Sequence, residues 1–381
     1  MDEVPARASR FALGEVPSLD GLRGVSVLLV MLLHFDWLGC GWIGVQFFFV
    51  LSGFLISANF FLSQESLQPT QVIAAFFTKR FLRIFPLYYL ALALYFSLEA
   101  SPFFPALFAE KIRAQPRALL VHGLFLQNFA AAYFGGAIRV LAHFWSLAVE
   151  EQFYLVFPFL ALFLRRRSLA LVSAALVIGV PVLRASIGDT SVYKNTLTQA
   201  DAFACGILLS LGWSKIPFRQ WCHKQKSKIL LGTYAYGATL LLSGLILLHC
   251  YHARGITVGN STLGYEISTA FGSHVWVYTA MDLLGTALTL HCLLNPRGWI
   301  FAHRALRYLG RISFGLYVYH YPIAFALEEN FHFKFKSAKG IMLFCGYFSL
   351  TLAAASLSYF CWELKFLRLK PMLTRRLRGS P

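Results

Sequence analysis

Charge is scarce: only 13% of the 381 residues are Asp, Glu, Lys or Arg, and acids number 17 against 34 basic residues. A soluble domain of this length carries about twice that charged fraction, so a soluble globular class is excluded. The seven cysteines (Cys40, Cys205, Cys222, Cys250, Cys292, Cys345, Cys361) form no CxxC pair and no metal-ligand spacing. They read as small buried hydrophobes, and no metal is required. There is no internal repeat, no low-complexity linker, and no polar interval long enough to fold alone; the longest, 99–117, is too short.

What fills the chain is hydrophobic: 57% apolar residues and a mean hydropathy of +0.60. Apolar runs occur at about 19–37, 42–62, 84–98, 145–164, 168–186, 197–213, 229–250, 272–294, 312–328 and 339–361. A weaker run at 118–133 contains His122, Gln127 and Asn128 and reads as a partial or surface helix. The expected fold is all-α, a polytopic membrane protein of about ten transmembrane helices. It forms one domain, 1–381, with a core at about 17–363 and a basic cytoplasmic tail at 364–381.

The formal net charge of +17 has its simplest use in topology. With ten crossings and the N-terminus inside, Lys and Arg favour the inside segments by more than two to one. Counting 118–133 as a crossing inverts everything after it and puts Arg165, Arg166 and Arg167 outside. Both termini are therefore expected in the cytoplasm, the N-terminal run is expected to be an uncleaved first helix, the lipid bilayer is the partner, and nucleic acid is not.

The stretch from Pro17 to Phe61 holds an arginine and a histidine inside its first apolar run. Ionisable groups at membrane depth are costly and mark functional sites by default. Arg23 and His34 are eleven positions apart, about three helical turns, so they share a stripe while lying on the order of 16 Å apart. That separation suits a long substrate that enters at the arginine and reacts at the histidine. His34 can act as a general base, or be a buried histidine satisfied by a carbonyl.

Further motifs follow. Ser52 and Gly53 are small residues among phenylalanines in GVQFFFVLSGFLI, which lets either a helix or a thin ligand approach. Arg80 and Arg83, three apart in KRFLRIFPLYY, are neighbours suited to phosphate or serve as topological anchors. Glu150 and Glu151 sit together in HFWSLAVEEQFY, where one of them can orient His34 or the two form a surface pair. Asp201 opens DAFACGILLSL; Arg311 and His320 lie in GRISFGLYVYHYPI, with Arg311 at the inner face and His320 a second polar contact or a packed histidine.

Together and in this order, LDGLRG with a histidine eleven after its arginine, GVQFFFVLSGFLI, KRFLRIFPLYY, WSLAVEEQFY, the Asp201 segment and GRISFGLYVYHYPI resemble the integral-membrane acyltransferase family 3. The resemblance spans residues 18 to about 363. Gln46 departs from the acidic residue of many relatives, and Phe314 and Gly315 depart from the usual Ser-Tyr-Ser pattern.

The resemblance implies a bacterial inner-membrane enzyme that moves an acyl group, acetyl in the first instance, from cytoplasmic acyl-CoA to a hydroxyl. The acceptor would be a saccharide, a lipid-linked glycan or a hydroxylated small molecule, and no cofactor would be permanently bound. It implies His34 as catalytic base, Arg23 as an essential site residue, Glu150 or Glu151 as a site carboxylate, and Arg80, Arg83 and Arg311, with Ser52 and Gly53, lining the CoA path. Relatives that continue into an extracytoplasmic domain suggest that a second transfer here would use a separate partner. The rival reading is a transporter or flippase whose buried Arg, His and Glu line a polar pathway.

Overall fold

The computed structural model describes residues 16–101, 117–130, 138–187, 190–258, 262–263, 265, 272–331 and 338–377. The N-terminal residues 1–15 and most of the 99–117 interval lie outside the described residues. Within the described residues the protein is all-α.

In chain order the helices are α1 (Pro17–His34), α2 (Ile43–Gln64), α3 (Pro69–Glu99), the short α4 (Ala118–Gly123), α5 (Trp145–Phe163), α6 (Arg166–Ile187), α7 (Ala200–Trp213), α8 (Ile216–Lys224), α9 (Lys226–Ala253), α10 (Ser273–Leu294), α11 (Arg304–Arg311), α12 (Ser313–Phe331), α13 (Ala338–Ser358) and, after a π-turn at Tyr359–Glu363, α14 (Leu364–Leu377). Among the described residues, eight helical segments are long and apolar enough to cross a membrane. Of the ten expected spans, the two outside that set are α7 and α12. At fourteen residues α7 is short for a bilayer, but most of its side chains are buried among neighbouring helices, which shield its ends from lipid. Within its described residues, 118–130, the 118–133 run forms the six-residue α4 and a single turn at Gln127–Phe129, as its polar residues predict.

α2 is the hub. It packs against α7, α1 and α10, and it makes smaller contacts with α3 and α5. Glycine permits these approaches: a Cβ at Gly206 would lie 2.2 Å from the Val50 carbonyl oxygen, and one at Gly53 would lie 2.3 Å from that of Phe203. Gly53 therefore serves the α2–α7 contact, which corrects its expected place along a ligand path. On the other side, a Cβ at Gly24 would lie 2.2 Å from the Leu306 carbonyl oxygen, so α1 seats directly on α11.

One buried ion pair ties three helices. Arg184, on α6, has no exposed surface; its Nη2 donates to Asp201 Oδ1 of α7 at 2.6 Å and its Nη1 to Thr279 Oγ1 of α10 at 2.8 Å. Thr279 donates to the other oxygen of Asp201 at 2.5 Å, and Arg184 also donates to the Thr198 carbonyl. The departure at position 46 fits the same region, since Gln46 Nε2 donates to Gln199 Oε1 at 2.9 Å.

The 364–381 segment, expected as a tail, is helical as far as Leu377 and packs along α3. α3 starts at Pro69, well before the apolar run that announces it, because Gln68 and Gln71 form a capping box there.

Arg184→Met leaves Asp201 buried without its counter-ion, so we expect a loss of about 3–5 kcal/mol of stability. Arg184→Met combined with Asp201→Leu should recover part of that loss. Melting of the purified protein in detergent checks both, and equal losses in the single and double variants would contradict the pairing.

Candidate active site

Two polar regions lie along α1. The first is a cavity of ≈ 730 Å³ that opens to solvent. Arg23 from α1, Arg80 and Arg83 from α3, Ser52 from α2 and Glu150 from α5 line it, and Ser146 and Tyr317 lie at its inner end. Because α3 begins at Pro69, the two arginines stand in mid-helix instead of at the helix's inner tip. The three arginines are oriented by carboxylates and a ring: Arg23 pairs with Asp20 at 3.2 Å, Arg83 faces Glu363 at 4.0 Å, and the Arg80 guanidinium lies 5.7 Å from the centre of the Tyr154 ring. Glu150 accepts a 2.7 Å hydrogen bond from Ser52.

The second region is a histidine cluster. The turn after α1 places Asp36 at φ 56°, a left-handed conformation that Asp tolerates, so His34 is the last residue of its helix instead of lying inside a longer span. Its ring points into the protein. His34 Nδ1 is 2.8 Å from His320 Nε2, and the rings of His143 and Tyr321 lie 6.4 and 4.7 Å from it, centre to centre. His320 is fully buried and His143 is nearly so.

The tautomers follow from the acceptors. His320 Nδ1 faces the Tyr317 carbonyl oxygen at 2.8 Å, and a carbonyl only accepts, so that nitrogen carries the hydrogen. In the neutral ring His320 Nε2 is then the acceptor, and His34 Nδ1 is the donor to it. His34 Nε2 is left with its lone pair free for a substrate proton.

The two regions meet at Ser146 and Tyr317. Their hydroxyls are 2.5 Å apart, and Tyr317 donates onward to the His143 carbonyl at 2.6 Å. With its proton committed there, Tyr317 accepts from Ser146. Ser146 follows His143 by one helical turn and Tyr317 precedes His320 by one turn, so each chain offers a hydroxyl to the cavity and an imidazole one layer deeper.

Four expectations change. Among the described residues neither glutamate hydrogen-bonds His34, whose partner is His320; Glu150 belongs instead to the arginine cavity. Glu151 points the other way, into a separate cavity of ≈ 850 Å³ with Arg80, Phe81, Phe85 and Leu155. Adjacent residues on a helix project about 100° apart, so the two carboxylates cannot share a site. Arg311 is exposed on α11 and does not line the arginine cavity, whereas Ser313 and Phe314 beside it do. Gly53 lies behind the cavity, as described above. His143 opened a quoted motif without a role; its signal is the matched three-residue spacing to Ser146.

Comparison with known proteins follows this geometry. A family model described as an acyltransferase domain matches residues 16–361. The chain is 30% identical over 338 residues to the peptidoglycan O-acetyltransferase OatA of Listeria monocytogenes, covering 83% of this chain and 50% of that protein. It is 29% identical to the putative peptidoglycan O-acetyltransferase YrhL of Bacillus subtilis, covering 81% and 48%, and 29% identical to the O-acetyltransferase OatA of Staphylococcus aureus, covering 81% and 50%. The chain thus spans about half the length of these relatives. No solved structure matches.

Three arginines at one cavity are balanced by nearby carboxylates, but Lys79 and Lys370 within electrostatic reach of them leave the neighbourhood net cationic and favour anions at its wall. With the exposed Cys345 and Cys361 replaced by Ser, a cysteine introduced at Phe48 should react several-fold faster with an anionic thiosulfonate than with a cationic one. High salt should erase the difference. Equal rates at low salt would argue against a cationic cavity.

Proposed function

The chain belongs to the membrane acyltransferase family whose domain model covers residues 16–361, and from that premise we propose that it transfers an acyl group, acetyl in the first instance, from acyl-CoA to a hydroxyl of a glycan acceptor. The observation that carries this reading is the His34–His320 hydrogen bond, which leaves a neutral imidazole with an outward lone pair at the deep end of α1. The printed activities of the relatives support acetyl as the group and a saccharide as the acceptor.

In the proposed reaction the donor's phosphates meet Arg23, Arg80 and Arg83, and its thioester reaches toward Ser146 and Tyr317. The span from Arg23 to His34, on the order of 16 Å, matches a long, thin arm. The Ser146–Tyr317 pair must part for the thioester carbon to reach His34. His34 Nε2 then takes the proton of the acceptor hydroxyl as its oxygen attacks the carbonyl carbon. The tetrahedral centre collapses, the C–S bond breaks, and the CoA sulfur leaves with the proton that His34 held.

During the step His34 is an imidazolium. Among the described residues no carboxylate hydrogen-bonds it, but the His320 nitrogen accepts its Nδ1–H, and the C-terminus of α1 presents roughly half a negative charge to it. The excess of basic residues on alternate loops supports an orientation with both termini in the cytoplasm, and the bacterial relatives support a bacterial cytoplasmic membrane.

Membranes incubated with labelled acetyl-CoA and saccharide acceptors test the reading. Labelled glycan should form with wild type and fall by about 10²–10⁴-fold with His34→Ala. His320→Phe, which frees the His34 tautomer, should cost about 10²-fold with the KM for the donor little changed. Undiminished labelling by His34→Ala would overturn the assignment, and a protein that only transports yields no covalent product at all.

A further inference from the structure

The arginine cavity contains its own counter-charge. Arg23 has Asp20 beside it, Arg83 has Glu363, and Glu150 lies within electrostatic reach of both Arg80 and Arg23. The formal charges of these six side chains cancel. The 3′-phospho-ADP end of coenzyme A brings roughly four negative charges at neutral pH, so a site for it needs cations beyond this set.

α14, packed along α3, brings further cations beside that set. Its sequence, LKFLRLKPMLTRRL, has five basic residues and no acid. The chain enters it in a defined register against α3: Trp362 Nε1 donates to the Pro86 carbonyl at 3.0 Å, and Glu363 faces Arg83 one turn earlier on α3. α14 therefore runs down α3 in the reverse direction. Leu367, one turn after Glu363, packs on the core, and Lys370, two turns after it, returns to the same face roughly 10 Å further along. There it comes within electrostatic reach of Arg83, Arg80, Arg23 and Lys79. The family match ends at residue 361, so this helix lies beyond the shared domain.

We propose that Lys370, carried by α14 along α3 to the edge of the arginine cluster and backed by Lys79, forms a subsite for the phosphates of a nucleotide-bearing donor. The proposal rests on the reading of the cavity as a coenzyme A site. α14 would then add a second helix to an anion site otherwise built by the shared domain, next to the arginines of α3. A phosphate between them meets ammonium and guanidinium groups at once, each bond charge-assisted.

The experiment uses the full chain in neutral detergent and coenzyme A itself as the probe, so no turnover is needed. Lys370→Glu should weaken CoA binding by about tenfold or more, and Lys370→Arg should restore it to within about threefold, with melting temperatures alike. In turnover, the preference for acetyl-CoA over S-acetylpantetheine, which has no phosphate, should fall about tenfold in Lys370→Glu.

CoA binding by Lys370→Glu equal to wild type overturns the subsite. So does an equal loss for both donors, which marks a structural role. An effect confined to nanodiscs of anionic lipid, and absent in neutral detergent, assigns Lys370 to lipid headgroups and also overturns it. Wild type that binds CoA through Lys370 but forms no acylated product sinks the transferase reading and leaves the subsite standing.

Discussion

Burying charge in a medium without water is the constraint that organises this protein. A cation inside an apolar chain persists only with a partner, and the buried or cavity-lining arginines each have one. Arg184 is fully enclosed and completely hydrogen-bonded, and its role is architectural: it fastens α6, α7 and α10 through Asp201 and Thr279. Arg23 and Arg83 hold looser pairs at 3.2 and 4.0 Å at the edge of an open cavity, where water or a ligand can compete. The tight pair builds, and the loose pairs remain available to a substrate. A transporter reading needs the same buried charges, but it gives no reason for one imidazole to fix the tautomer of another.

Close packing makes that electrostatic arrangement possible. Small residues let α1 sit on α11 and α2 sit on α7, which brings the polar faces of α1, α3, α5 and α12 around one interior space. Without a hydrophobic drive between helices in lipid, such contacts depend on van der Waals fit and on hydrogen bonds. A methyl group at Gly206 or Gly24 would meet backbone, which has nowhere to move. The site's geometry is thus inherited from positions that carry no functional group.

Much of this was legible in the residues. Apolar run length predicts the spans, and polar content separates the 118–133 segment from true crossings. The 3.6 period correctly puts Arg23 and His34 on one helix, and it pairs Arg80 with Arg83 at a common cavity. The partner of His34 was not legible. Glutamate is the commoner companion of a working histidine, but His320 lies 286 residues away in sequence, and only the packing of α12 against α1 brings them together. Helix ends were also hidden: α1 stops at His34 through a left-handed turn at Asp36, and α3 extends back to Pro69 through a glutamine capping box. Those two boundaries move His34 to a helix terminus and the arginines to mid-helix, and both shifts matter electrostatically.

The Ser146–Tyr317 contact bears on the order of events. The His143 and His320 imidazoles, one helical turn beyond the hydrogen-bonded hydroxyl pair, are shielded from the open cavity. A thioester at that depth hydrolyses if water arrives with it. If the cavity takes an acyl-CoA donor as proposed, filling it displaces that water before the hydroxyl pair parts, so donor binding would precede contact with His34. Separation of the two polar regions along α1 then fits the proposed reaction: one end would recognise the donor, and the other would be reached only when the donor occupies the space between.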